Sequence, residues 1–172
     1  MISLVKQDYK RLNKSNRFTY LGFLKSFIFS TGFQLVCLYR LSFFLRKKNI
    51  KLFSVILDKF IFFLYNCEIR STAKIGPGLL IRHPIGIIIG GKAEIGENFS
   101  IGQNTTIGGN NNKTNNSRSQ PIIGDNVTIG ANSMIIGPLI IGNNSFIGSM
   151  SLVNKDIPSN ETWAGIPARK IK

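Results

Sequence analysis

The stretch that decides the fold is IIGDNVTIGANSMIIGPLIIGNNSFIG, residues 122–148. Within it an isoleucine recurs every six residues, from Ile123 to Ile147, and a glycine follows most of these isoleucines. The same period extends outward through Ile69, Ile75, Ile81, Ile87, Ile89, Ile95, Ile101, Ile107 and Val153. A sustained six-residue repeat predicts a parallel β-helix, in which each unit is one short strand and one turn. The isoleucine points into the coil, and the next position is a corner that favours glycine because it has no side chain.

Two breaks interrupt this period. A two-residue shift falls within residues 83–89, and a longer break separates Ile107 from Ile123. We interpret residues 109–121 as a loop ejected from the β-helix, because they are rich in asparagine and lack apolar residues for a core of their own. Loops that project from a rigid scaffold commonly carry binding function.

Residues 1–67 differ in composition from residues 68–172, and we predict a small helical segment followed by the β-helix. Residues 1–70 hold 13 Lys/Arg, 3 Asp/Glu and 11 of the 13 Phe, so they carry +10 of the net charge of +14. Apolar residues at helical spacing predict helices within residues 21–28, 35–45 and about 52–65. Two interpretations stay open: the segment packs on the β-helix or a sister subunit, or it is a basic amphipathic anchor at an anionic membrane surface.

Composition disfavours several classes of protein. The longest uncharged stretch of the N-terminal part is 14 residues, shorter than the roughly 20 that span a bilayer. We see no secretory signal, so we expect a cytoplasmic protein that is at most peripheral on the inner face of the membrane. Cys37 and Cys67 are predicted to be free thiols, and a single His makes a metal site unexpected. No nucleic-acid-binding motif is present.

From Glu68 onward the chain resembles the serine acetyltransferase branch of the hexapeptide-repeat acyltransferases, whose fold is a left-handed β-helix. The motifs that carry the resemblance are GLLIRH at residues 78–83, TIGG at 106–109, QP at 120–121 and AGIPAR at 164–169. The sequence VCLYRL at residues 36–41 looks like the N-terminal part of capsule, O-antigen and exopolysaccharide acetyltransferases of this branch. The resemblance implies a homotrimer that transfers acetyl directly from acetyl-CoA, a co-substrate, to a hydroxyl group. It implies no permanently bound cofactor.

The resemblance also implies roles for individual residues, in a site between neighbouring β-helices. His83 is the general base, and Glu68 is the carboxylate that orients its imidazole. Glu68 precedes His83 by 15 residues, somewhat less than one coil of three six-residue units, so we expect the two to approach between adjacent coils. Trp163 either caps the end of the β-helix or stacks on the ligand. The residues implied to contact coenzyme A are Gly109, Ala131, Ser149, Trp163, Ala164, Gly165, Arg169 and Lys170.

Two departures from the family pattern guide the prediction of the acceptor. Serine acetyltransferases carry an acidic residue before the base and a second His before the proline that ends the loop, whereas this chain has Arg82 and Gln120. An ammonium group facing Arg82 would be repelled. We therefore predict that the acceptor is a sugar hydroxyl of a cell-surface polysaccharide or its precursor, bound by Arg82, Gln120, Lys113 and Arg118. The alternatives are a serine O-acetyltransferase of cysteine biosynthesis and a non-catalytic scaffold that binds an anionic membrane or polymer.

Overall fold

The structure is a computed structural model, and it describes residues 1–15, 17–110 and 119–172. The helices found in the described residues are α1 (Ile2–Leu12), α2 (Tyr20–Phe29), α3 (Thr31–Lys47) and α4 (Lys51–Tyr65). The strands that follow in the described residues are β1 (Glu68–Ile69), β2 (Lys74–Ile75), β3 (Leu80–Ile81), β4 (Ile88–Ile89), β5 (Glu94–Ile95), β6 (Ser100–Ile101), β7 (Thr106–Gly108), β8 (Ile122–Ile123), β9 (Thr128–Ile129), β10 (Met134–Ile136), β11 (Ile140–Ile141), β12 (Phe146–Ile147), β13 (Leu152–Val153), β14 (Thr162–Ala164) and β15 (Arg169–Lys170).

The strands form three parallel sheets in the described part of the chain, and these sheets are the faces of a triangular prism. Sheet A contains β1, β4, β7, β10 and β13, and sheet B contains β2, β5, β8 and β11. Sheet C contains β3, β6, β9, β12 and β14, with β15 added antiparallel to β14. Because the chain visits the faces in the same order in each coil, every third strand from β1 to β13 joins the same sheet. β14 follows β12 in sheet C because the last sheet B position holds only an isolated bridge between Ile141 and Ile157. The six-residue period thus produces the predicted parallel β-helix.

The interior of the prism is filled by two positions of each six-residue unit. One is the strand isoleucine, and the other lies two residues earlier, where Leu79, Phe99 and Val127 are buried. Ile87 also lies at this second position. Ile89, two residues later, is the strand residue that pairs with Ile69 in sheet A. The six-residue period places Ile87 among the strand residues, and the structure corrects that register. Burying one such aliphatic side chain contributes about 1.5–3 kcal/mol.

Asparagine side chains form a ladder along the edge between sheets B and C. Asn98 donates to Asn126 at 3.1 Å, Asn126 donates to Asn144 at 3.1 Å, and Asn144 donates to Asn160 at 3.0 Å. All four residues have φ between 54° and 64°. Asparagine tolerates this left-handed conformation better than other side-chain-bearing residues do. The ladder therefore links successive coils at a fixed spacing.

A buried ion pair joins the helices to the first coil. Arg40 donates to the carboxylate of Asp8 at 2.9 and 3.1 Å, and also to the carbonyl oxygens of Ile75 and Gly76, both at 2.6 Å. The Leu79 N–H donates to the same carboxylate at 2.8 Å. The side chains of Arg40 and Asp8 are only 1% and 0% exposed. The pair therefore ties α1, α3 and the β-helix together.

The helical segment packs on the β-helix through one of its faces and leaves others exposed. Leu35 and Tyr39 of α3 and Ile61 of α4 join the same apolar core as the coil interior. The apolar residues predicted for α2 are instead exposed, and no residue of α2 is buried. Among the described helices, none alone has the length and apolar composition of a membrane span, whereas α2 and α3, bent by 107°, meet that criterion as a pair.

Candidate functional site

His83 lies at the corner where the chain leaves sheet C and turns towards sheet A. Ile69 pairs with Ile89, 20 residues later, whereas Ile89 pairs with Ile107, 18 residues later, and the two additional residues lie in this corner. His83 is exposed, and the following Pro84 is buried. The register break seen in the sequence therefore presents an imidazole at the surface.

The N-terminus of α3 packs directly beneath this corner. A Cβ atom on Gly32 would overlap the carbonyl oxygen of Ile81, so glycine is needed for the helix to approach β3 this closely. The Ser30 side chain accepts a hydrogen bond from the Phe33 N–H at 3.3 Å and caps the helix. The backbone that leads into His83 is thus supported by a rigid helix.

Strand register places several of the predicted site residues on the same edge of the prism as His83. Ile81 pairs with Ile101, and the ladder continues through Ile129 and Ile147 to Trp163. The residues two positions after these strand residues are, in order, His83, Gln103, Ala131, Ser149 and Gly165. We call this column of residues the His83 edge. It carries His83, the predicted general base, at one end and the AGIPAR tail at the other.

Two open grooves flank His83. One, of about 210 Å³, contains Arg82 and His83 together with Ser100, Gln103 and Ala131. The other, of about 540 Å³, lies between His83 and the helices, and its lining includes Thr31, Gln34, Phe63, Tyr65 and Asn66. The predicted Arg82, His83 and Ala131 therefore share one groove. Sequence reasoning missed Gln103, although its position two residues after a strand isoleucine matches that of His83.

Glu68 lies on a different face from His83 within one protomer. It lines a groove of about 490 Å³ across sheet A, which also contains Gly109, Gln120, Arg46 and Arg70. The Glu68 carboxylate is 2.7 Å from Arg70 Nε. Among the described residues, no hydrogen bond or ion pair joins Glu68 to His83. The expected approach of Glu68 and His83 between adjacent coils is therefore not found in the protomer, because both belong to the first coil.

The predicted acceptor residues of the loop are only partly described. The Gln120 side-chain oxygen accepts a hydrogen bond from the Lys92 N–H at 2.9 Å, which fixes Gln120 against the preceding coil. Gly109 is exposed beside it. Lys113 and Arg118 lie outside the described residues. The structure thus separates Gln120 and Gly109 from the His83 edge.

The C-terminal tail closes the end of the β-helix. Trp163 is 9% exposed and donates to Glu161 Oε2 at 2.7 Å, while Lys170 donates to Glu161 Oε1 at 2.6 Å. These two hydrogen bonds lower the pKa of Glu161. Trp163 has the position of an end cap, one of its two predicted roles. Ala164 and Arg169 pair in the β14–β15 hairpin, where Arg169 and Lys170 are exposed.

No group of three or more potential metal ligands occurs in the described residues.

Comparison with known proteins places the chain in a family. A family model described as "Bacterial transferase hexapeptide (six repeats)" matches residues 120–155. A serine acetyltransferase of Buchnera aphidicola subsp. Schizaphis graminum is 37% identical over 152 residues, which are 87% of this chain and 57% of the relative. The serine acetyltransferase of Helicobacter pylori is 31% identical over 140 residues, which are 81% of each chain. The chain belongs to the serine acetyltransferase family.

Solved serine acetyltransferases share this fold. The enzyme from Brucella abortus strain S19, in complex with coenzyme A, matches with a TM-score of 0.86 and 30% identity over 99% of this chain and 67% of that one. The Neisseria gonorrhoeae enzyme, in complex with serine, matches with a TM-score of 0.86 and 27% identity over 99% of this chain and 69% of that one. The left-handed β-helix of the hexapeptide-repeat acyltransferases, predicted from the sequence, is confirmed.

The predicted sugar acceptor is wrong. The relatives and solved neighbours described above are serine acetyltransferases, and one of them was solved with serine bound. A guanidinium such as that of Arg82 repels the ammonium group of serine, but this repulsion alone does not exclude serine. Serine also carries a carboxylate, which the same guanidinium attracts.

The chain spans little more than half the length of the Buchnera serine acetyltransferase.

Proposed function

We propose that this protein transfers an acetyl group from acetyl-CoA to the hydroxyl of serine, with His83 as the general base. The observation that carries the proposal is the exposed His83 at the head of an edge that continues through Gln103, Ala131 and Ser149 to the AGIPAR tail. Such an edge offers a path for the extended arm of coenzyme A. The names of the relatives and the serine complex of one neighbour support the acceptor.

In the proposed reaction His83 takes the proton from the serine hydroxyl as the oxygen attacks the thioester carbonyl carbon. The new C–O bond gives a tetrahedral oxyanion. When it collapses, the C–S bond breaks, and the imidazolium returns its proton to the departing sulfur. The products are O-acetylserine and free coenzyme A, and His83 ends neutral, as it began.

We propose that the pantetheine arm of acetyl-CoA lies along the His83 edge. Gly130 has no room for a Cβ, which would lie 2.5 Å from the Ser149 nitrogen, so the coils stack closely and the surface stays narrow. Ala131 and Ser149 leave space for the arm because their side chains are small. The exposed Arg169 and Lys170 suit the phosphates of coenzyme A, since charge-assisted hydrogen bonds to phosphate are strong.

Arg82 is proposed to bind the carboxylate of serine. It is exposed and shares a groove with His83, so a serine bound there places its carboxylate and hydroxyl within one small site. A guanidinium matches a carboxylate through two parallel hydrogen bonds. This arrangement turns the ammonium of serine away from Arg82.

An Arg82→Gln variant is expected to raise the KM for L-serine by about 10- to 100-fold, because a hydrogen bond to a charged group contributes roughly 1.5–3 kcal/mol. The KM for acetyl-CoA should change little. Steady-state kinetics with L-serine and with serinamide, which lacks the carboxylate, measure the effect. An equal loss with both acceptors would contradict carboxylate binding by Arg82.

We propose a homotrimer in which each active site forms between two protomers. Within one protomer Glu68 and Gln120 line the sheet A groove, whereas His83 lies on another edge. A neighbouring copy that docks this edge against sheet A would bring the general base and the carboxylate together. The site is then complete only in the oligomer.

Mixing two inactive variants tests this arrangement. His83→Ala and Glu68→Ala proteins, each expected to be nearly inactive alone, should regain activity when co-expressed. Random mixing of copies gives about one quarter of the interfaces an intact His83 and an intact Glu68. A His83→Ala/Glu68→Ala double variant mixed with His83→Ala protein is the matched control and should stay inactive. If mixed trimers of the two inactive variants regain no activity, His83 and Glu68 act within one protomer.

The experiment that tests the function itself is a coenzyme A release assay with L-serine as acceptor. We expect acetyl-CoA-dependent formation of O-acetylserine, identified by mass spectrometry, and no release without an acceptor. Coenzyme A binding without turnover on L-serine, in a folded protein of normal oligomeric state, would overturn the proposal.

A further inference from the structure

Helix α2 is apolar on most sides, and the rest of the protomer covers it only along the half-buried Gly22, Phe23 and Ser26. None of its residues is buried, and the exposed fraction reaches 83% at Tyr20 and 78% at Phe29. Its other exposed apolar residues are Leu21, Leu24, Phe27 and Ile28. A helix that is hydrophobic all round normally lies in a protein core or in lipid.

Helix α4 has the same property on its outer face. Its inner side is anchored through the buried Ser54 and Ile61. The exposed large apolar residues of the helix are Leu52, Phe53, Val55, Ile56, Phe60, Phe62, Phe63 and Leu64, with Phe63 at 82%. Eight large apolar side chains exposed on one helix mark a binding surface rather than an ordinary solvent-exposed one. We call the exposed apolar residues of α2 and α4 the apolar shelf.

One side chain, Gln34, connects the ends of α2 and α4 in the groove beside His83. Gln34 donates to the carbonyl oxygen of Phe27 at the end of α2, at 2.7 Å, and accepts from the Tyr65 hydroxyl at the end of α4, at 3.0 Å. The groove between the helices and His83 is lined by Phe63 as well as Gln34 and Tyr65. Whatever binds the apolar shelf therefore lies next to the proposed general base.

The charges of the helical segment that carries the apolar shelf favour one kind of binding partner. Exposed cations in the described part of residues 1–67 are Lys6, Lys14, Arg17, Lys25, Lys47, Lys48, Lys51 and Lys59. In the same described residues no acidic side chain is exposed, since Asp8 is buried against Arg40 and Asp58 is bound by Ser42 and Ser71. A second copy seated here would bring its own cations against these. An anionic partner would be attracted instead.

We propose that the apolar shelf binds the surface of an anionic phospholipid membrane. Apolar and aromatic side chains enter the boundary between headgroups and acyl chains, while the surrounding lysines pair with lipid phosphates. Because the shelf adjoins the groove at His83, binding brings the active site to the membrane surface. This inference is independent of the acceptor, and its test does not require turnover.

Vesicle co-sedimentation of the full-length protein tests the proposal. We expect binding to vesicles of phosphatidylglycerol and phosphatidylcholine, and a reduction of roughly tenfold or more on vesicles of phosphatidylcholine alone or in 1 M salt. A Phe29→Ser/Phe63→Ser variant should lose binding with little effect on folding, because both side chains are exposed. A Lys51→Gln/Lys59→Gln variant should weaken binding to the anionic vesicles only.

Matched controls come from the opposite end of the molecule. Ile140→Ser/Ile171→Ser removes two exposed apolar residues of the β-helix, and Lys155→Gln/Lys172→Gln removes two of its cations. Both controls should bind as the wild type does. The proposal is overturned if the wild type binds no vesicles, or if the shelf variants bind as well as the controls. It is also overturned if light scattering shows that Phe29→Ser/Phe63→Ser lowers the oligomeric state, since a second copy would then occupy the shelf.

Discussion

A His83→Ala variant is expected to lose about 10²- to 10⁴-fold in kcat with L-serine and acetyl-CoA, the usual contribution of a general base. The imidazole is exposed at the corner after β3, and in the described residues its side chain makes no hydrogen bond or ion pair that the fold would miss. The lost activity should therefore not come from unfolding. Steady-state kinetics with the purified oligomer measure the change.

Two controls separate catalysis from binding in this variant. Isothermal titration should give a coenzyme A affinity close to that of the wild type, because the proposed contacts with the arm lie further along the His83 edge. A Lys74→Met variant, altered at an exposed side chain of sheet B, should retain most of its kcat. Turnover by His83→Ala within a few-fold of the wild type would remove His83 from the mechanism.

An Arg40→Met variant is expected to lower the free energy of unfolding by about 3–5 kcal/mol, the cost of breaking a buried ion pair by removing one partner. The Asp8 carboxylate would keep only the hydrogen bond from the Leu79 N–H, and the carbonyl oxygens of Ile75 and Gly76 would lose their donor. Urea unfolding at a fixed protein concentration measures the loss, since oligomers gain stability with concentration.

An exposed ion pair supplies the matched control for Arg40. Lys74 Nζ and Glu94 Oε1 are 2.7 Å apart, but both side chains are at least half exposed, so Lys74→Met should cost no more than about 1 kcal/mol. In a second comparison, Asp8→Leu/Arg40→Met should recover part of the stability lost by Arg40→Met, because no unpaired carboxylate stays buried. Equal losses for Arg40→Met and Lys74→Met would show that the buried pair does not hold the helices to the β-helix.

The fold was largely predictable because its signal is local. Each isoleucine of the six-residue series except Ile87 lies in its own strand, and a glycine follows most of them, so the period alone indicates the coil. The anchoring of the helices was not predictable in this way. Arg40 and Asp8 are 32 residues apart and lie on different helices, so nothing in either neighbourhood shows that both are buried.

The members of the candidate site stay a prediction, and the structure adds how the predicted residues are arranged. His83, Ala131 and Ser149 share an edge that follows from counting strand residues, and the sequence could have added Gln103 by the same count. The position of Glu68 on sheet A was missed because spacing along the chain does not say which face of the prism a side chain occupies. The acceptor was missed because the charge of Arg82 repels one end of serine and attracts the other.

In the proposed mechanism, the His83 edge also sets the distance between the base and the C-terminal tail. Each coil adds one strand spacing of about 4.8 Å between the base and the tail, and the hydrogen-bonded asparagines keep that increment constant. The number of coils thus sets how far the tail can reach from the reacting centre. Duplicating one coil between Ile129 and Ile147 would preserve the strand register on both sides. The distance from His83 to the tail would then no longer match the fixed length of acetyl-CoA.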